Sequence, residues 1–382
     1  MRLALVLAAP FPLYQGSQVF VADQARALRT AGAATTLFCY GAGTGDDDPG
    51  LPLVRTPPRL TPGMLRSSIH PAKSIADAAL AFSLARALRR QRFDALLAHN
   101  SEAAAIALLA RPWLDVPIVY VVHTLLRYEL SAYGPHALRS TLDAVGGALE
   151  RVIARRADAI LTLCEEARLA LAPSARGPMA VIPPGLEPAP APTLAACEAA
   201  CRRHGLEPAG FVLYTGNVDR YQDLDRLDAA AGRLPGTPVV VATHDRRGAG
   251  LRGLRVVEVA DADEMRALLH ACAVAVLPRR RPGGFPVKLL NYLEAARPVV
   301  AFERVACGLE HGRTGWLLPE AAGAEDLARA IRTLRADPAR AEAIGRAGRR
   351  HLEVHHRWKE RAAQTLELVQ EARRRRGAPG RG

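Results

Sequence analysis

Apolar residues in this chain fall into two alternating rhythms. Short unbroken runs, as in LALVLAA, DALLAHN and PIVYVV, are separated by longer stretches in which apolar positions recur every three or four residues. The first rhythm predicts strands buried on both faces, and the second predicts amphipathic helices. Strands are expected at Leu3–Ala9, Thr35–Phe38, Asp94–Ala98, Pro117–Val122, Asp158–Leu163 and Ala180–Ile182. Helices are expected at Gln18–Ala31, Ala72–Arg90, Glu102–Ala110 and His136–Arg156, and a loop at Pro10–Gly16. The stretch PPGLEPAPAPTLAACEAACRRHGLEPAG concentrates proline and encloses one short helix, which suits a hinge. The alternation then restarts, with strands at Phe211–Tyr214, Pro238–Ala242, Arg255–Val259, Val274–Leu277 and Pro298–Phe302. Its helices are Gln222–Ala231, Asp263–Cys272, Val287–Ala296, Ala324–Arg335 and Ala339–Leu352, before a long final helix at Trp358–Arg376.

Continuous apolar strands alternating with helices imply parallel sheets covered on both faces. At 382 residues the chain exceeds the size at which one core keeps growing. The expected fold is therefore α/β, with two Rossmann-like doubly wound parallel-sheet domains facing across a cleft. The first spans 1–185, a Pro-rich linker 186–209, and the second domain 210–355. A C-terminal helix at 356–376 is expected to pack back toward the N-terminal domain, with a disordered tail at 377–382. Ligands of open parallel sheets sit beyond the carboxyl ends of the strands, so site residues are sought directly after strands.

The formal net charge is +13, and only three of the basic residues are lysine: Lys73, Lys288 and Lys359. Such an excess suits acidic partners such as nucleotides or anionic lipid, with Ala85–Arg92 as a basic helical stretch for a membrane face. An arginine bias of genomic origin accounts for it equally well. No nucleic acid partner is expected. The six cysteines form no CxxC pair, and they point to a reducing cytoplasm. The N-terminal run from Leu3 to Ala9 is a better first strand than a signal peptide, because a periodic helix follows it. No run approaches the roughly 18 apolar residues of a transmembrane helix. The expected location is cytoplasmic, with peripheral contact at the inner membrane face as an option. The acidic groups Asp46–Asp48, Asp223 with Asp225, and Asp261 with Asp263 sit in a turn or at helix starts, so no metal site is predicted.

The densest chemistry lies in LPRRRPGGFPVKLLNY. Gly283 and Gly284 let the backbone approach an anion closely, and a helix opening near Val287 aims its unpaired N–H groups at the turn. Arg279 and Lys288 add full charges, and Asn291, one turn on, suits ribose hydroxyls. This stretch, continuing as GFPVKLLNYLEAARPVVA, resembles the donor-binding segment of the GT-B glycosyltransferases, notably family GT4. That family usually reads E-G-F-x-L-x-L-L-E-A-M-A-x-G-x-P-V-V-A. PFPLYQGSQVF resembles its first glycine loop, LERVIARRADAILTLCEEAR with VIPPGLE the end of its N-terminal domain, and EHGRTGWLLP its late D-G-x-x-G-x-L-V-P signature.

The resemblance implies sugar transfer from a nucleotide-diphosphate sugar to a hydroxyl acceptor, with retention of anomeric configuration, no cofactor and no bound metal. It places Phe285, Pro286, Val287 and Leu289 in the donor segment with Gly283, Gly284, Lys288 and Asn291. Gly16 and Ser17 approach a phosphate. His123, directly after PIVYVV, faces the donor sugar and is the expected catalytic residue. His99 and Asn100, ending another strand, are acceptor-side candidates. The family's paired glutamates fall here on Gly283 and Asn291. The arginine and lysine of its G-R-L-x-x-x-K-G phosphate clamp fall on Asn217 and Gln222, leaving Arg220, Arg279 or Lys288 to supply charge. Those departures keep two alternatives open: a catalytically degenerate GT-B partner protein, and a nucleotide-sugar epimerase. A dinucleotide oxidoreductase is disfavoured, because the first strand lacks G-x-G-x-x-G after it.

Overall fold

The computed structural model describes residues 1–12, 16–41, 50–60, 71–133, 136–218, 222–244, 251–280 and 284–377. The chain divides into two compact units. Unit 1 comprises Met1–Gly185, Gly283–Phe285 and Trp358–Gly382, and unit 2 comprises Leu186–Pro282 and Pro286–Arg357.

Unit 1 is built on seven strands: β1 (Arg2–Pro10), β2 (Ala34–Tyr40), β3 (Leu53–Arg55), β4 (Ala95–His99), β5 (Ile118–Val122), β6 (Ala159–Thr162) and β7 (Met179–Val181). They pair in parallel in the order β3-β2-β1-β4-β5-β6-β7. The strands β4 and β5 are buried along their whole length, as their unbroken apolar runs require. The helices are α1 (Gly16–Thr30), α2 (Pro71–Arg90), α3 (Asn100–Leu109), α4 (Leu126–Tyr133), α5 (Arg139–Arg156) and α6 (Glu165–Leu171). Leu80, Leu84, Leu96, Ile118 and Ile153 belong to one core cluster that joins these helices to the sheet.

Unit 2 repeats the plan with α7 (Leu194–Arg203), β8 (Val212–Thr215), α8 (Leu224–Ala231), β9 (Val239–Thr243), β10 (Arg255–Glu258), α9 (Ala262–Ala271), β11 (Val274–Leu277), α10 (Lys288–Glu294), β12 (Val299–Phe302), β13 (Trp316–Leu318), α11 (Ala324–Ala336) and α12 (Pro338–His355). Its six parallel strands run β10-β9-β8-β11-β12-β13. In both sheets the order reverses once, between β1 and β4 and between β8 and β11. Those two reversals are where a doubly wound sheet receives its ligand. The last helix, α13 (Trp358–Gly377), returns to unit 1, where it packs on α1 and buries Trp358, Leu368 and Val369.

Both sheets and most helices match the apolar rhythm within one to three residues. The differences are short elements. The strands β3 and β13 are three residues each, and β3 is only half-buried. Helix α5 begins at Arg139 rather than His136, and α4 precedes it. The first N–H of α4, from Leu126, is satisfied by the Glu150 carboxylate of α5, and Arg127 pairs with Asp143 at 2.8 Å. Helix α4 is thus stabilised from α5, which local sequence does not announce. Helix α7 follows Thr193, whose hydroxyl accepts the Ala196 N–H at 3.2 Å. Asp261 caps α9 in the same way through the Glu264 N–H at 2.8 Å. Among the described residues, no helix is long and apolar enough to cross a membrane.

Candidate active site

In unit 1 the chemistry gathers at the reversal between β1 and β4, where Leu7 pairs in register with His99. His99 is the last residue of β4. Asn100 then turns the chain into α3 with φ of 72°, a left-handed conformation that asparagine tolerates better than most residues. His123 directly follows β5. Its Nε2 lies 2.9 Å from Nδ1 of His99, so the two strand-end histidines are hydrogen-bonded. Phe20 of α1 meets both rings edge-on, with centroids 4.8 Å from His123 and 6.1 Å from His99. His123 and His99 are 6% and 0% exposed. Burial pushes the His123 imidazole down to about 3. Burial, and then His123 itself, hold His99 well below the ordinary range. Both are therefore neutral at physiological pH. Among the described residues, one buried nitrogen of each, His99 Nε2 and His123 Nδ1, has no hydrogen-bond partner, and neither do Gln18 Oε1 and Asn100 Oδ1.

Gly16 is exposed and Ser17 half-buried in the first turn of α1. Gly284, also in unit 1, lies directly against His123. A Cβ there would come within 2.1 Å of the His123 carbonyl oxygen and 2.9 Å of Thr124 Oγ1. Only glycine fits that approach.

In unit 2 the reversal between β8 and β11 positions Lys288. Its ammonium donates to Tyr214 Oη at 2.6 Å and to Gln222 Oε1 at 3.3 Å, and it sits 4.0 Å from the Tyr214 ring centroid. Tyr214 in turn donates its proton to the Asn217 carbonyl at 2.7 Å, leaving a lone pair for the lysine. Gly216 closes this turn with φ of 112°, and a Cβ on it would press to 2.9 Å from Lys288 Nζ. The Thr215 N–H donates to the Tyr292 hydroxyl at 2.9 Å, which fastens the end of β8 to α10. Gln222, expected to begin a helix, instead lies two residues ahead of α8.

Further cations collect here. Arg279 directly follows the β11 region and is buried. Arg280 gives its N–H to the Asp223 carboxylate at 3.1 Å. Arg226 on α8 has its pKa lowered by burial and then by neighbouring Arg280. Arg226 is a residue that sequence reasoning missed; its position three residues after Asp223 gave no signal. Val287 precedes α10, Pro286 and Leu289 are buried, and Phe285 is buried with unit 1. Asn291 is exposed on α10, three residues from Lys288. Glu294 accepts from Arg266 at 2.9 Å and faces His270 at 3.4 Å. Burial would raise its pKa, but those two partners hold it low, so it is committed to an internal ion pair. Gly283, Arg220 and the loop with Asp46–Asp48 lie outside the described residues.

Sequence reasoning also missed a polar group beside the carboxyl ends of β2 and β4. Lys73 of α2 bonds Glu102 at 2.5 Å, and Tyr40 donates to Asp77. Burial raises Glu102 to about 7. On α2 the basic stretch from Ala85 continues a face bearing exposed Ile75 and Phe82, with Arg86, Arg89 and Arg90 also exposed.

Residues 15–185 match the glycosyl transferase 4-like domain, and residues 209–337 match glycosyl transferases group 1. Glycogen synthase of Mycobacterium tuberculosis is 29% identical over 308 residues, covering 75% of this chain and 70% of that protein. Among solved structures, sucrose-phosphate synthase of Thermosynechococcus elongatus aligns with a TM-score of 0.78 at 20% identity, over 97% of this chain and 98% of that one. HepE of Anabaena, solved with UDP and glucose, aligns with a TM-score of 0.73 at 15% identity, over 97% and 99%. With both of its units matched and strand orders of the same doubly wound kind, the chain belongs to the GT-B glycosyltransferases, joining a glycosyl transferase 4-like domain to a glycosyl transferases group 1 domain.

Proposed function

We propose that this glycosyltransferase moves a sugar from a nucleotide-diphosphate donor to a hydroxyl acceptor, retaining anomeric configuration and needing no bound metal. The observation that carries this reading is Lys288, held on Tyr214 and Gln222 beside the Gly216 turn at the sheet reversal of unit 2. A fixed ammonium at a ligand-receiving strand end suits a pyrophosphate. HepE, which was solved in complex with UDP and glucose, supports the same class.

Bond cleavage between the anomeric carbon and the diphosphate leaves negative charge on the leaving oxygen. Lys288 and Arg279 neutralise it, replacing the clamp charges that Asn217 and Gln222 cannot provide. The anomeric carbon becomes cationic, and the acceptor oxygen attacks the face from which the diphosphate departs. The acceptor proton passes to the departing phosphate oxygen, so the transfer is balanced without an added base. His123, neutral and buried, orients the sugar. A carboxylate in its place would attract the cationic carbon more strongly, but a neutral imidazole leaves no charge to be trapped there.

The test is incubation with UDP-, GDP- and ADP-sugars in the presence of EDTA, following slow hydrolysis of the donor and transfer to added glycans. Release of a nucleoside diphosphate from one donor, undiminished by EDTA, is expected. Inertness toward all donors would overturn the reading, and epimerised sugar released without an acceptor would replace it with isomerase chemistry.

A further inference from the structure

We infer that His99 is a positioning residue for His123, binding its ring and tying its tautomer to its own, so that His99 acts on the sugar only through His123. This rests on the role proposed for His123. It departs from the acceptor contact expected of His99.

The argument starts from the single N···N bond of 2.9 Å between His99 Nδ1 and His123 Nε2. A neutral imidazole carries one N–H and one bare nitrogen. If His99 donates, its proton is on Nδ1, and His123, accepting at Nε2, must carry its own proton on Nδ1. If His123 donates from Nε2, His99 accepts at Nδ1 and must carry its proton on Nε2. A neutral pair therefore has two arrangements, both rings Nδ1–H or both Nε2–H, and never a mixture. In either one the two remaining nitrogens, His123 Nδ1 and His99 Nε2, are one donor and one acceptor. What a ligand demands of one ring decides the state of the other.

Packing favours this role over a merely structural one. Both remaining nitrogens are buried without partners among the described residues, a cost that two aliphatic side chains would avoid. Phe20 closes on both rings edge-on, fixing their planes. The backbone holds the pair as well: His99 ends β4 in register with Leu7, and the His123 carbonyl lies against Gly284. A side chain at 99 that lacks a polar atom in the Nδ1 position leaves His123 Nε2 unpaired and its tautomer unconstrained. Asparagine supplies an amide atom close to that position, able to donate or accept.

The experiment uses the full chain labelled with 15N-histidine. Multiple-bond nitrogen–proton correlation spectra at pH 7 read the tautomer of each ring, with His99→Asn and His123→Gln assigning the two signals. The expected result is two neutral rings of the same tautomer, and a changed His123 pattern in His99→Leu. With the donor found active, His99→Leu is expected to lower kcat about 30-fold at unchanged nucleotide Kd, while His99→Asn loses no more than about fivefold. Opposite tautomers in the wild-type chain, or a His99→Leu enzyme with wild-type kcat, would overturn the inference. Should His99→Leu fail to fold, the wild-type spectrum alone decides. Because the spectrum needs no turnover, its outcome is separate from failure of the donor reading.

Discussion

At the level of single residues, the two buried histidines make a prediction about acid. His123 is driven to about 3 in the folded chain, against an ordinary value near 6.5 when unfolded. Between those values the unfolded chain binds more protons, so stability must fall as pH drops below about 6.5. By pH 5.5 this one ring removes about 1.4 kcal/mol. His123→Gln should abolish that increment: urea unfolding at pH 7.5 and 5.5 should show a smaller loss in the variant by about this amount. Equal losses would mean the ring is not held neutral. His123 was legible in sequence because it directly follows an apolar run, and so was Lys288, from the turn and helix around it. Their partners were not. His99 is 24 residues from His123, and Tyr214 is 74 from Lys288. Such pairs are made by strand order, which one sequence does not display.

At the level of elements, legibility followed burial. Strands buried on both faces announce themselves as unbroken apolar runs, and β4, β5, β9 and β12 were found on that signal. The edge strands β3 and β13 are short, and β3 is half-buried, so neither rhythm marks it. Helix α4 depends on Glu150 of α5. Helix α13 makes the sharper case. It is the least apolar of the long helices by composition, yet it buries Ala362, Thr365, Leu368, Val369 and Ala372, and its Trp358 ring lies 5.5 Å from Phe20. It therefore supports the same aromatic that holds the histidine pair. Leu368→Ala should cost about 2–4 kcal/mol in urea unfolding, as expected for a buried leucine. A loss below about 0.5 kcal/mol would mean that α13 contributes little to the core of unit 1.

At the scale of the molecule, two sheets of the same strand order each present a distinct chemistry at the point of reversal. Unit 1 holds neutral, buried imidazoles and, among the described residues, unpaired buried polar atoms. Unit 2 gathers the cations Lys288, Arg279, Arg280 and Arg226, where the proposed function places a phosphate. The most direct measurement is calorimetric titration of UDP, GDP and ADP into the wild-type chain and Lys288→Ala. One nucleoside diphosphate should bind the wild type, and the variant should bind it about 10- to 150-fold more weakly, the equivalent of about 1.5–3 kcal/mol for a charged hydrogen bond. Equal affinity in the two proteins, or no binding of any of the three, would contradict a phosphate held at Lys288.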